Sequence, residues 1–488
     1  MSDVLSGSAA PRAATSTNTH GDTLSFPVIA GLVRLADLVL LGMAGVASVG
    51  IVTWLYGAYP EGPIQLAETA GTLATALGLA REGAYAQTAM QSISTQLRLL
   101  IKPLLLGTFC LVAGLFVLYQ GQLPVRIWPL IWAICAGGAI GLGRIPLWYI
   151  MRYWTAAGRL ARKIAIVGLS DFSHEFIERL RDEPSAFNIV GIYDDRIARV
   201  PPSQLGIDVL GTVAELVERS RRERIDVIVV ALPLKAVERI KAIMDQLAST
   251  VADIVLTTDL AGLRYARTQF HGIGRNAVVS VREAPLKDWR LLEKTLLDYT
   301  IGVAALLILS PVLLLTAVLI KLESPGPVLF RQPRMGFNNQ LFLCYKFRSM
   351  HHDMRDMLAD KQTTRDDPRI TRVGRIIRKL SVDELPQLLN VLNGTMSLVG
   401  PRPHAPNTKA ADRLFTEVVQ QYAVRHRVKP GITGWAQVNG WRGETTTVEQ
   451  IEQRVACDLF YIENWSIALD LKIMVMTVLR EVRSRNAF

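Results

Sequence analysis

At 488 residues the chain is longer than one hydrophobic core usually organises, so roughly two to four domains are expected. Half of its residues are hydrophobic and only 20% are charged, with a mean hydropathy of +0.25, which argues against a wholly soluble protein and places part of the chain in lipid. The net charge of +11 fits an anionic membrane surface, a phosphate-rich substrate or nucleic acid, and the scattered Cys110, Cys135, Cys344 and Cys457 lack the spacing of a zinc site or disulfide framework.

The first 25 residues are rich in Ser, Thr, Ala and Gly and lack the basic and apolar regions of a signal peptide, so they read as a disordered cytoplasmic tail. Four transmembrane helices are expected over residues 26–154. Three are plain: Val28 to Tyr59, Leu99 to Tyr119 and Val125 to Met151 are apolar over the length a bilayer needs, with aromatic residues near their ends. The stretch Ile64 to Ala80, with Glu68 inside it, is weaker. Charge decides: Arg81, Arg98 and Lys102, like Arg152, Arg159, Arg162 and Lys163, belong on the cytoplasmic side, which requires an even number of crossings.

From Lys163 strand-like runs (KIAIVGL, FNIVGIYDD, IDVIVVAL) alternate with helical ones, predicting a Rossmann-like α/β module over 160–272 with a parallel sheet. Its first turn reads GLSDFS, with Gly168 as the only glycine of a GxGxxG fingerprint. Dinucleotide binding is therefore disfavoured, and with it a dehydratase or epimerase using NAD. A linker is expected around Arg275 to Lys287.

The last apolar run, residues 295–320, is interrupted by Ser310-Pro311. Proline removes a helix hydrogen bond and disfavours α geometry before it, so a sharp bend is expected, with the Ser310 hydroxyl placed to satisfy the freed carbonyl. A straight fifth crossing would put everything beyond Lys321 outside the cell. If that charged segment acts on a cytoplasmic nucleotide, the helix must enter and leave on one face.

Next comes a predicted hairpin, Glu323 to Met350, projecting Arg331, Arg334, Lys346 and Arg348 and suited to phosphate oxygens or lipid headgroups. In SVDELPQLLNVL, Ser381 and Glu384 have capping-box spacing, and Asp383 falls in the first turn, where the helix dipole would lower its pKa. Arg369, Arg372, Arg375 and Arg378 precede it. Carboxylate beside arginine suits Mg2+ and a diphosphate. No zinc finger or RNP motif accompanies these arginines, which argues against nucleic acid.

The pieces ILSPVLL, KLESPGPVLFRQ, KFRSM, DPRITRVGR, SVDELPQLLNVL, SLVGPRP and VKPGITGWAQVNG occur in order over residues 287–488. Together they resemble the bacterial sugar transferase family, the monotopic polyprenyl-phosphate hexose-1-phosphate transferases, and the whole architecture is similar to its long-form members that start exopolysaccharides. The resemblance implies a membrane protein of α + α/β class with an α-rich catalytic domain carrying a re-entrant membrane helix, located in the bacterial inner membrane with catalysis on the cytoplasmic face. It implies transfer of hexose-1-phosphate, glucose before galactose, from a UDP-sugar to undecaprenyl phosphate with Mg2+. Asp383 would be nucleophile and metal ligand, Glu384 its partner, Arg402, Arg378, Lys346 and Arg348 phosphate contacts, and Ser310-Pro311 the re-entrant break. Membrane lipid is a further partner, and homo-oligomer formation is left open, as is a non-catalytic scaffold role. Two departures stand out: Asn339 where the family often has glycine, and Thr446 where it often has Asp.

Overall fold

The computed structural model describes residues 25–57, 64–118, 123–181, 187–196, 201–233, 235–257, 271–273, 276–351, 367–404, 409–410, 413–414, 422–441, 443 and 447–483. Of the tail read over residues 1–25 only Ser25 lies within them, and Thr446 lies outside. The chain forms two compact units, residues 1–161 and 162–488.

The first unit is helical: Phe26–Tyr56 (α1), Ile64–Arg81 (α2), the single turn Gln87–Met90 (α3), Ile93–Leu118 (α4) and Leu123–Ala156 (α5). α1 packs on α5 and α2 on α4. α1, α4 and α5 contain stretches long and apolar enough to cross a membrane; the 18-residue α2 is the weaker helix foreseen from its composition. Large apolar side chains such as Trp54 and Phe116 point outward, as expected for surfaces solvated by lipid. Polar groups turn inward. Asp37 of α1 pairs with Arg144 of α5 at 2.6 Å and accepts a 2.8 Å hydrogen bond from Tyr85, and Trp128 donates to Ser48 at 2.8 Å. A charge in such a bundle needs its partner, so the pair ties α1 to α5.

The second unit begins with the expected α/β module. Its strands are Arg162–Val167 (β1), Phe187–Tyr193 (β2), Ser203–Gln204 (β3), Ile207–Gly211 (β4), Val227–Val230 (β5), Asp253–Thr257 (β6), His271–Ile273 (β7) and Asn276–Arg282 (β8), in the spatial order 3-4-2-1-5-6-8-7. Strands 4, 2, 1, 5 and 6 are parallel, and the continuous apolar runs of β1 and β5 reflect burial on both faces by Asp171–Arg181 (α6), Val213–Arg222 (α7) and Val237–Gln246 (α8). The linker reading of 275–287 needs correction. Most of it is β8, whose β-branched residues in NAVVSVR pair antiparallel with β6 on one side and with β7 on the other.

Asp288–Glu323 (α9) follows as one 36-residue helix containing Pro311. The interruption expected at Ser310-Pro311 is absent from the secondary structure. Pro311 deprives the Leu307 carbonyl of its amide donor, and the Ser310 hydroxyl donates to that carbonyl at 2.7 Å. The strands Leu329–Met335 (β9) and Leu341–Phe347 (β10) form the foreseen hairpin. Arg372–Lys379 (α10), a 3-10 turn at Val382–Glu384, Gln387–Leu392 (α11) and the short strand Ser397–Val399 (β11) complete the region around the site.

A buried polar network roots α9 in this domain. Lys294 donates to Asp298 at 3.2 Å and to Asp470 at 2.6 Å; Asp470 also accepts from Tyr461 (2.8 Å) and Trp465 (3.2 Å); Asp298 accepts from the Leu398 amide at 3.1 Å. The membrane-directed helix, the helix Ile467–Arg483 and β11 are thus locked together. Removing Asp470 takes the closer of two carboxylates from a buried cation and the acceptor from the Trp465 indole, so Asp470→Ala is expected to destabilise this unit by about 3–5 kcal/mol. Thermal unfolding of the detergent-solubilised protein checks it, and an unchanged midpoint would show that the network carries no stability.

Candidate active site

Three separate segments bring their charged groups together. On the hairpin, the register places Arg334 opposite Phe342 and Gln332 opposite Cys344, so Arg334, Gln332, Cys344 and Lys346 share one face. Arg331 lies on the other face, over the Tyr345 ring at 5.7 Å. Asn390 of α11 holds the outer edge of β10 by accepting from the Tyr345 amide (2.9 Å) and donating to the Leu343 carbonyl (2.8 Å), as a neighbouring strand would. This brings Lys346 beside the turn at residues 382–384.

Arg402 arrives on the loop after β11. That loop lies backbone to backbone against residues 429–434: a Cβ on Gly400 would sit 2.5 Å from the Lys429 carbonyl oxygen, and one on Gly431 2.1 Å from the Gly400 nitrogen. Only glycines permit this approach, which accounts for SLVGPRP and KPGITG as a pair.

At the centre, Glu384 accepts a two-pronged bond from Arg402 (2.6 and 3.0 Å) and a 2.7 Å bond from Lys346. The cations hold the Glu384 carboxyl well below the usual carboxylate range although burial pushes the other way. Asp383 stands beside this cluster, partly accessible, and makes no hydrogen bond or ion pair among the described residues. Burial, and next the Glu384 charge, push its carboxyl up to about 6. The dipole-lowered pKa expected for Asp383 is therefore reversed. The capping box is also absent: Ser381 has φ 54° and makes no capping bond with its side chain, because residues 382–384 form a tight turn ahead of α11 and not that helix's first turn.

Of the residues singled out by sequence, Asp383, Glu384, Lys346 and Arg402 come together, and the charge of Arg378 is felt at Asp383. Arg348 does not join them. It is buried and donates to the carbonyls of Ile320, Ser324 and Pro325, closing the C-terminal end of α9. Ser310 and Pro311 lie within α9. Sequence reasoning missed Cys344, Gln387 and Pro403, which line the same concavity together with Arg334, one of the four hairpin cations read as suited to phosphate or lipid headgroups. It missed a second layer as well: Arg425 pairs with Asp458 at 2.7 Å, donates to the Arg402 carbonyl at 2.8 Å and lies 2.5 Å from His404 Nδ1. Burial, then Arg425 and Arg454, keep the His404 pKa well below the ordinary value.

Among the described residues no three His, Cys, Asp or Glu side chains cluster as a closed metal site. A divalent cation would find the Asp383 carboxylate and would complete its shell with water and ligand phosphate, the usual donor set of Mg2+. An unpaired carboxylate beside a cation-clamped one can act as a nucleophile toward a phosphorus centre, with Arg402 and Lys346 within reach of phosphate oxygens.

Comparison with known proteins gives two family matches: bacterial sugar transferase over residues 289–484 and CoA-binding domain over residues 80–258. The chain is 42% identical over 405 residues to an undecaprenyl-phosphate glucose phosphotransferase of Komagataeibacter xylinus, covering 81% of this chain and 73% of that one. It is 38% identical to a UDP-glucose:undecaprenyl-phosphate glucose-1-phosphate transferase of Escherichia coli (strain K12), over 67% and 69% of the two chains. With the protein of that name from Xanthomonas campestris pv. campestris it shares 33% identity over 94% of both.

The residues of the α/β module do not fit a coenzyme diphosphate at the turn after β1. There the Leu169 amide is bonded to Asp194 (2.9 Å) and the Ser170 amide to the Ser173 hydroxyl (2.9 Å). Asp194, wholly buried, also accepts from Arg196 and, at 2.6 Å, from Arg239, so the turn's donors and the acidic group at the end of β2 already satisfy one another.

The Asp383 ionisation is directly testable. In 13C-aspartate infrared spectra its carboxylate band is expected to be half-developed near pH 6. Glu384→Gln removes the repelling charge and frees two cations, both of which favour ionisation, so the midpoint should move to lower pH. A midpoint that rises or stays put would mean that Glu384 does not govern Asp383.

Proposed function

The chain belongs to the bacterial sugar transferase family, and on that premise we propose that this phosphoglycosyltransferase moves glucose-1-phosphate from UDP-glucose to undecaprenyl phosphate, releasing UMP and starting an exopolysaccharide repeat unit. The relatives' names support glucose as the sugar. The observation that carries the mechanism is the contrast between the two adjacent carboxylates, Glu384 clamped by two cations and Asp383 without a hydrogen bond or ion pair among the described residues.

In the first half-reaction an Asp383 carboxylate oxygen attacks the β-phosphorus of the UDP-sugar. The bond from that phosphorus to the bridging oxygen breaks, UMP leaves with the bridging oxygen, and the phospho-sugar stays on Asp383. In the second, a phosphate oxygen of undecaprenyl phosphate attacks the same phosphorus, the aspartyl oxygen departs as carboxylate, and the lipid diphosphosugar is released. Mg2+ bound at Asp383 would neutralise charge on the diphosphate. Arg402 and Lys346 hold phosphate oxygens, and Glu384 keeps both cations aligned before substrate arrives. Their partial burial strengthens each of these contacts.

The site serves a nucleotide sugar only on the cytoplasmic face of the inner membrane, so α9 enters and leaves the bilayer on that face, bending near Ser310-Pro311. Support comes from Lys294 near its start and Lys321 near its end, and from the exposed Leu307, Ile308 and Leu314 between them.

Purified protein given labelled UDP-glucose and Mg2+ without acceptor should acquire about one phospho-sugar per chain. Asp383→Asn should abolish both this adduct and UMP release while remaining folded. Adduct-free turnover, or full turnover by the variant, would remove the covalent mechanism, and UMP from UDP-galactose alone would reassign the sugar. Single cysteines near Arg290 and Lys321 are expected to react from the cytoplasmic side only; labelling from opposite sides would restore a straight crossing.

A further inference from the structure

The departure at Asn339 leads to an inference about the α/β module. The hairpin turn has Asn338 at φ 54° and Asn339 at φ 56°, closed by the Gln340 amide on the Phe337 carbonyl at 3.1 Å. Two successive left-handed residues make the primed turn that suits a tight hairpin, and asparagine is the non-glycine residue that best tolerates it. Glycine would serve the backbone equally well. What glycine lacks is the side chain, and the side chains of Asn338, Asn339 and Gln340 each have a partner outside the hairpin.

Asn338 donates to the Ser220 carbonyl at 2.6 Å, and Gln340 donates to the Arg221 carbonyl. Both acceptors lie in the last turn of α7, whose final carbonyls have no amide within the helix to bond them. The hairpin of the catalytic domain thus caps a helix of the module. Asn339 Oδ1 meets His426 Nδ1 at 2.5 Å. His426 belongs to the segment Tyr422–Arg427, which packs against both the hairpin turn and the module's Leu247–Ser249, and whose Arg427 donates to the Glu283 carbonyl at 2.8 Å. The residue before His426 is Arg425, which holds the Arg402 backbone.

We propose that the module is a positioning element for the transfer reaction: through the turn at 338–340 and the segment 422–427 it sets the hairpin face carrying Lys346 and the loop carrying Arg402. Asn338, Asn339, Gln340 and His426 are the positioning residues. They touch no substrate, and they act through the two cations that do. The inference rests on the transferase reading for its effect on turnover, but the coupling itself is a property of the folded chain.

The test uses the full-length protein. Asn339→Gly keeps the turn and deletes only the contact with His426. It is expected to lower kcat for UMP release roughly three- to tenfold while the KM for UDP-glucose stays within about twofold, and to speed amide exchange at residues 397–404 and 422–427. Asn339→Asp, which keeps an oxygen facing His426 in the same backbone conformation, should restore kcat to within about twofold of the parent. Asn338→Asp, which removes the donor to Ser220, should loosen the hairpin residues 329–347. An unchanged kcat in Asn339→Gly overturns the proposal, and so does a fall in kcat accompanied by faster exchange throughout the unit, which marks general destabilisation. If the parent protein releases no UMP from any hexose donor, the transferase reading fails and exchange alone decides: faster exchange confined to 397–404 and 422–427 upholds the coupling, and unchanged exchange there overturns it.

Discussion

The bond of Glu384 to Arg402 and Lys346 is the interaction on which the catalytic domain turns. It joins a strand, a tight turn and a glycine-bounded loop that are remote in sequence. Each side chain is largely buried, so none is stable there without the others; removing one leaves uncompensated charge in a poorly solvated place. The same cations that satisfy Glu384 are those a diphosphate would seek. The arrangement is therefore preorganised for anionic ligands without being exhausted by its own ion pairs, because the ligand brings the same kind of charge into the same field.

Asp383 takes its character from this neighbour. A carboxylate next to a buried carboxylate is pushed toward the protonated form, and one next to two guanidinium or ammonium groups is pulled the other way. Burial and Glu384 win, pushing the Asp383 carboxyl up to about 6, with Lys346, Arg378 and Arg402 limiting the rise. A group poised there is ionised at ordinary pH yet only weakly stabilised as an anion, the balance that the nucleophile proposed for this site, which must later leave again, would require. The order of charge around the pair, and not the identity of two adjacent acids, separates their roles.

Much of this was legible in the sequence because it is written in local pattern. The apolar spans, the strand and helix alternation after Lys163, the hairpin and the clustering of acids with arginines all depend on periodicity or composition over short windows. What was misread depends on tertiary partners. Ser381 and Glu384 have capping-box spacing, but Glu384 is claimed by cations from distant segments, and the turn takes another shape. Arg348 looked like a phosphate ligand because it follows Lys346 on a basic hairpin; the carbonyls at the end of α9, twenty-odd residues earlier, claim it instead. Asn390, Arg425 and Asp458 carried no signal at all, since their work is to satisfy backbone groups and charges that sequence does not place beside them. The sharp bend expected at Ser310-Pro311 does not interrupt the helix, because the Ser310 hydroxyl bonds the Leu307 carbonyl that Pro311 leaves without an amide.

The α/β module shows that a fold does not by itself carry the chemistry often associated with it. Its sheet order is that of a nucleotide-binding unit, but the turn after β1 keeps only Gly168 of the glycine fingerprint, and the amides and the acidic residue that would meet a ligand are bonded to Asp194, Ser173, Arg196 and Arg239. Bonding those groups to one another ties the turn after β1 to the end of β2, as a rigid element requires. Rigidity is what a positioning element needs: the end of α7 can orient the hairpin only if α7 itself does not move. In the proposed positioning role the internally bonded turn after β1 and the docking of the hairpin on α7 serve one constraint, since a module that moved would pass its motion to the hairpin carrying Lys346.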